Sequence, residues 1–398
     1  MKNGIIALLS GNCRAARRHN PPSGLETLSR TALSLFLALV LAALLLEIQG
    51  KSGPQGILAI LEGGFGNPAS LTLAARADGL RGIPAFFKGC FYDNYALADS
   101  LLKSMPIFLC SLGLSACFYL KLWNIGAEGQ YVMGAVGSTA AVLAFPDAPA
   151  WALLPAMFLA GTCAGALWAF LPAVLRERFR TNEIITTLML NYIAILLLQY
   201  LVAGPWKDPC GQGFIMTREF PAAAVLPTLA GRAHLGLLFC IAVAWAWHLF
   251  MRQTRYGFEM LAYGANPRAA GYAGMRCSLM VVAVMTLCGA LAGLAGLCEI
   301  SVQARLWPNS AAGYGYTAIV VAWLARLRVG GIAFFSLLLA AFRVGVENLQ
   351  LEMGVAAAFG DLLQGSILLM VLAGRFFDSY TLRVPQSDPA LPGTEDAP

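Results

Sequence analysis

The feature that most constrains this chain is a series of apolar blocks bounded by charge, proline or glycine clusters, most of them of about 18 to 25 residues, the helical length that crosses roughly 30 Å of hydrocarbon. Ten such stretches lie near residues 31 to 49, 98 to 119, 126 to 145, 150 to 172, 184 to 204, 235 to 251, 279 to 298, 314 to 325, 331 to 349 and 361 to 376. Composition agrees with the pattern: only 12% of the 398 residues are Asp, Glu, Lys or Arg, about half the share that solvates an ordinary globular surface. The expectation is an all-α, polytopic membrane protein of about ten transmembrane spans. The eighth stretch is too short to cross as a straight helix and reads as a half-helix or re-entrant segment.

Orientation follows from Lys and Arg, which concentrate in cytoplasmic loops. With the amino terminus inside, seventeen of them fall in inside segments and eight in outside segments. That asymmetry favours cytoplasmic termini and an even number of spans. The organisation expected is a cytoplasmic segment over 1–30, a membrane domain over 31–377 with an internal cytoplasmic loop over 252–278, and a cytoplasmic tail over 378–398. The net charge of +6 is spread thinly over loops, so it carries topological information and makes no basic stripe for nucleic acid. No secretory signal is visible, since Ile5 to Leu9 is short for a signal's apolar region and is followed by Arg14, Arg17 and Arg18.

Two outside segments are long, 50–97 and 205–233, and both read as loops that either dock a partner or pad the surface. The ten cysteines contain no C-x-x-C, and most lie within apolar spans; Cys90 and Cys210 fall in the outside loops, where pairing stays open. No site for catalysis, metal or cofactor emerges. Gly50, Lys51 and Ser52 resemble the end of a P-loop, but Leu45 stands where its first glycine belongs, and the three histidines are scattered. Energy for any transport must therefore come from an ion gradient or another subunit.

Four segments carry polarity or special turn chemistry. In the inner loop, Asn266 followed by Pro267 reads as an N-cap with proline at the first helical position, so a short helix should run from there toward Gly274. Such a helix either docks a cytoplasmic partner or lies at the lipid interface. From Asn124 to Gln130, Gly126 and Gly129 weaken the helix while Asn124 and Glu128 bring polarity to the head of a span. Glu128 then either lines a cavity at a helix break or sits at headgroup level. In the fifth span Asn182 can cap the helix, Thr187 and Asn191 share one face, and Tyr192 and Gln199 share another. These polar groups either bridge helices or meet solute. Gly289, Gly293 and Gly296, with Gly161 and Gly165, form faces that let helices approach closely. Glu299, Glu347 and Asp361, near span ends, read as interface residues.

The inner loop matches T-R-x-G-F-E-x-x-A-x-G-x-N-P-x-A-A-x-Y-A-G through Thr254, Arg255, Gly257, Phe258, Glu259, Gly264, Asn266, Pro267, Ala269, Ala270, Tyr272, Ala273 and Gly274. It resembles the coupling segment of ABC importer permeases of the simple-sugar and nucleoside type, relatives of the branched-chain amino acid permeases. Leu122 to Gln130, Thr181 to Ala194 and Gly313 to Ala322 resemble further segments of that family in the same order. The resemblance extends from about residue 98 to 376; Ala325, Arg326 and Leu327 depart from its usual glycine-containing turn, and residues 66–96 look like an insertion.

The resemblance implies a permease subunit, multi-pass in a bacterial inner membrane, that takes up nucleosides or related simple sugars by alternating access. It implies cytoplasmic ATPase subunits that use the ATP, a second permease chain (a heterodimer preferred, a homodimer possible) and an extracytoplasmic solute-binding protein or lipoprotein; no cofactor is bound by this chain. Arg255, Gly257, Glu259, Gly264, Asn266, Pro267, Ala270 and Gly274 would couple to the ATPase. Asn124, Glu128, Gln130, Thr187, Asn191, Tyr192 and Gln199 would serve the translocation pathway. Branched-chain amino acid permeases and, from another class, ion-coupled secondary carriers are the rival readings.

Overall fold

A computed structural model describes residues 14–17, 24–66, 95–211, 213–230 and 233–383. Nearly all described residues are helical: α1 (Gly24–Ile48), α2 (Gly53–Phe65), α3 (Tyr95–Tyr119), α4 (Ala127–Ala144), α5 (Ala150–Phe179), α6 (Glu183–Ala203), α7 (Gly236–Gln253), α8 (Arg255–Ala265), α9 (Pro267–Tyr272), α10 (Cys277–Gln303), α11 (Tyr314–Leu324), α12 (Val329–Met353) and α13 (Ala357–Ser379). Every stretch read above as a span lies on one of these helices. Six of them, α3, α5, α6, α7, α10 and α12, are long and apolar enough to cross a membrane. Shorter apolar helical stretches are Ala32–Ile48, Tyr314–Leu324 and Ala358–Gly374.

The chain divides into two compact units, residues 1–53 with 365–398, and residues 54–364. In the first, β1 (Arg14–Arg17) pairs antiparallel with β4 (Tyr380–Arg383), Arg14 opposite Arg383 and Arg17 opposite Tyr380. An all-α reading misses this ribbon, because four-residue strands without an apolar alternation leave no periodic signal.

The second unit is organised around α10, which packs on α3, α4 and α5. Small residues make that possible. A Cβ on Gly134 of α4 would sit 2.2 Å from the Gly293 Cα, and one on Gly293 would sit 2.3 Å from the Gly161 carbonyl oxygen of α5. Helices without a hydrophobic driving force between them associate through such close backbone packing. We expect Gly293→Val to abolish a monodisperse peak in size-exclusion of detergent extracts, whereas Gly271→Ala, whose added methyl meets nothing within 4 Å, should leave it unchanged.

One expectation is corrected outright: the segment 50–97 does not begin as a loop. Its first part forms α2, whose 13 residues pack on α12 and α3. A Cβ on Gly64 would lie 2.2 Å from the Ala341 carbonyl oxygen, and Ser100 Oγ donates to the Gly64 carbonyl at 2.6 Å. Residues 67–94, with Cys90 and nearly all of the suspected insertion, lie outside the described residues, and α3 begins at Tyr95; Cys210 is exposed.

The second long loop is tied down. Thr217 N donates to the Leu306 carbonyl, Phe220 N donates to the Ala304 carbonyl, and Arg305 pairs with Glu219 at 2.7 Å, so the segments after α6 and after α10 form one surface. A hairpin of β2 (Thr228–Ala230) and β3 (Ala233–His234) then leads into α7. His234 Nδ1 accepts from Gly236 N at 3.1 Å, which puts the proton of the neutral ring on Nε2, a buried atom with no partner. Burial lowers the His234 pKa from 6.5 to about 4. The unfolded chain therefore binds a proton that the folded one refuses, and stability present above pH 6.5 is lost as pH falls toward 4. The melting temperature should drop between pH 7 and pH 5, and His234→Gln should flatten that slope.

Candidate functional site

The chain folds around a helix break. After α3 ends, Lys121 adopts φ 58°, and the backbone runs without helix to Gly126 before α4 begins. Freed backbone groups need partners, and the side chains of Asn124 within the break and of Thr187 and Asn191 from α6 supply them. Asn124 Oδ1 accepts from Gly126 N at 2.9 Å, and its amide pairs with that of Gln130 while Nδ2 reaches Cys288 Sγ of α10. Thr187 Oγ1 accepts from Ile125 N at 3.3 Å. Asn191 bridges three elements: its Oδ1 accepts from Gly129 N at 2.8 Å, and its Nδ2 donates to the Ile125 carbonyl at 2.9 Å and to Tyr316 Oη at 3.2 Å. A side chain at Gly129 would put Cβ 2.8 Å from Asn191 Oδ1, which explains the glycine.

Beside this break stands a second interrupted helix. The loop after α10 returns to Gly313 (φ 77°), and α11 then runs only 11 residues, about 16 Å at 1.5 Å per residue. Its exposed amides are met by a carboxylate: Glu128 Oε1 accepts from Gly313 N at 2.8 Å and Oε2 from Gly315 N at 2.7 Å. An anion at a helix N-terminus is favoured by dipole and hydrogen bonds together. Gly315 is required here, since a Cβ would fall 2.3 Å from Glu128 N. From α12, Arg343 donates to the Ala312 carbonyl at 2.6 Å and lies 4.5 Å from the Tyr314 ring centroid. Tyr314 donates to Glu299, which also accepts from Gln303. Glu347 pairs with Lys103 and stands 3.6 Å from Arg343. Arg343 and Lys103 lie within apolar stretches of the sequence, and their nearness to Glu128, Glu299 and Glu347 is invisible without the fold.

Of the pathway candidates, Asn124, Glu128, Gln130, Thr187 and Asn191 are thus gathered in one buried network. Tyr192 and Gln199 are not part of it. Thr187, Asn191, Ala194, Leu198 and Val202 form the one buried stripe of α6, whereas Tyr192 is 58% exposed and Gln199 is exposed with it. Asn182 caps α6 by accepting from Ile184 N.

The inner loop forms two helices at the end of the bundle where α3 and α7 finish. Thr254 caps α8 and Asn266 caps α9, accepting from Arg268 N and Ala269 N with Pro267 at the first helical position. Gly264 presses on the end of α3: its Cβ would lie 1.9 Å from the Tyr119 carbonyl oxygen. Gly257 and Ala270 are buried, Arg255 pairs with Glu259 on the surface, and Gly274 (φ 79°) turns the chain back toward α10. Tyr256 and Phe258, each 67% exposed, and Tyr272, 94% exposed, present aromatic rings outward, and the sequence reading gave none of the three a role. The turn that departs from the resembled family, Ala325 to Arg328, puts Arg326 (φ 50°) and Leu327 (φ 60°) in the left-handed region and is held by Tyr119 Oη donating to the Leu327 carbonyl at 3.0 Å. Among the described residues no cluster of His, Cys, Asp or Glu could hold a metal ion.

Residues 96–372 match a family model described as a branched-chain amino acid transport system permease component. The chain belongs to this permease family. It is 35% identical to a glucose ABC transporter permease of Haloferax volcanii over 80% of this chain and 90% of that one. A guanosine ABC transporter permease of Bacillus subtilis is 30% identical over 76% and 86%, and a nucleoside ABC transporter permease of Lactococcus lactis 26% identical over 72% and 82%. The helix break, the half-helix and the capped inner loop of this permease all fall within the matched region.

Proposed function

We propose that this permease is the membrane subunit of an ATP-driven importer that moves nucleosides or related simple sugars by alternating access. The observation that carries the reading is the inner loop: α8 and α9 are separately capped and display exposed aromatics, and α8 bears on the end of α3 through a contact that only glycine allows. A push on that loop reaches the helix whose C-terminal end opens the break at Lys121. The named cargoes of the relatives support sugars and nucleosides over the branched-chain amino acids of the family's description. ATP is bound and hydrolysed by separate cytoplasmic subunits docked on α8 and α9, a second permease chain completes the pore, and an extracytoplasmic binding protein delivers cargo. The chain crosses a bacterial inner membrane ten times with both termini inside, in keeping with its Lys and Arg asymmetry. Uptake of labelled guanosine and glucose by cells carrying the whole transporter, with and without an intact ATPase, tests the reading. Uptake of leucine alone would move the assignment to amino acids.

Asn191 was a cargo-contact candidate, and its three hydrogen bonds support the bridging alternative. Asn191→Leu leaves a buried amide and carbonyl unpaired at about 1 to 3 kcal/mol each. The expected result is a lower melting temperature with transport falling for every cargo alike. A change in cargo preference at unchanged stability would return Asn191 to the pathway.

A further inference from the structure

Between the inner ends of α3, α7 and α8 and the start of α12 lies a cavity of about 580 Å³. Its charged lining is of one sign. Arg252 from the last turn of α7 and Arg328 before α12 face it together with His248, no carboxylate lines it, and among the described residues neither arginine takes part in an ion pair. The rest of its lining is mostly apolar and aromatic, and includes Tyr119, Trp247, Met251, Leu327 and, from α8, Leu261. The neighbouring surface of α8 is different, since there Arg255 is neutralised by Glu259.

Two unpaired guanidinium groups over an apolar and aromatic floor match an anion with an uncharged body, and guanidinium suits phosphate oxygens through paired hydrogen bonds. We propose that this cavity binds a phosphate group, presented either by an anionic phospholipid or by a small phosphorylated metabolite, and that its occupant touches both the coupling helix α8 and the strained turn before α12. A ligand spanning these elements favours the arrangement in which they lie close, and so biases the coupling step. The regulatory part rests on the function proposed above. The binding part does not, because it needs neither ATPase nor cargo.

The test uses the full-length chain in nanodiscs, which open both faces to solution. Melting temperature is compared in discs of phosphatidylcholine alone, in discs with added phosphatidylglycerol, and in phosphatidylcholine discs given inorganic phosphate or adenosine monophosphate. The expected result is stabilisation of the wild type by one of these sources, with apparent affinity weakened about tenfold or more in Arg252→Gln/Arg328→Gln. The control Arg178→Gln/Arg180→Gln removes the same charge elsewhere and should bind as the wild type does. Stabilisation by phosphatidylglycerol identifies a lipid occupant; stabilisation by the soluble phosphates identifies a metabolite. If the double variant does not fold, Arg252→Gln alone is read against the same control. The proposal is overturned if no phosphate source shifts the wild type, or if every variant shifts equally.

Discussion

Gly264→Leu should give a permease that folds and assembles yet transports little, while the ATPase of its complex keeps turning over. The cause is geometric: the new Cβ would fall 1.9 Å from the Tyr119 carbonyl oxygen, a backbone atom at the end of α3 that cannot swing aside. α8 must lift away, and the contact that carries its movement into the bundle is lost. The core around α10 lies apart from this contact, so the effect on stability should be small. Uptake in reconstituted vesicles is expected to fall by at least about tenfold, equivalent to some 1.4 kcal/mol of lost coupling. ATP hydrolysis should change far less. Gly271→Ala, in the same loop, should behave as the wild type; transport by Gly264→Leu at the wild-type rate would detach α8 from the mechanism.

The second large effect is expected at Glu128, where one carboxylate holds the start of α11 by two backbone amides and offsets the nearby charge of Arg343. Glu128→Gln keeps the shape but turns an amide group toward an N–H donor. One charge-assisted bond is lost, about 1.5 to 3 kcal/mol, and Arg343 is left with Glu347 as its paired anion. Glu128→Ala loses both bonds and should cost about 3 kcal/mol or more. The order of melting temperatures should be wild type, then Gln, then Ala, with transport falling in the same order. Unchanged stability in Glu128→Ala would mean that the carboxylate faces open space instead of capping α11.

How much of this was legible in advance varies with the range of the interaction. Helix limits and the caps at Asn182 and Asn266 are local, so the sequence displayed them. The close packing of α10 was readable from Gly289, Gly293 and Gly296, although the partner glycine at Gly134 was not. α2 escaped notice because a 13-residue apolar helix is below the length that signals a crossing. The partners of Glu128 lie 185 and 187 positions away in the chain. Its burial cost marked it as important, but no spacing rule names the amides it meets. Tyr192 and Gln199 were rightly placed on a face of α6 other than that of Asn191; which face the rest of the chain covers was settled only by the packing of α4 against α6.

The measurement that bears most directly on the central claim is solute uptake by vesicles holding the purified permease, with and without its ATPase and ATP. Accumulation of labelled nucleoside or sugar should require both additions and vanish when either is withheld. Uptake at full rate by the permease alone would contradict it.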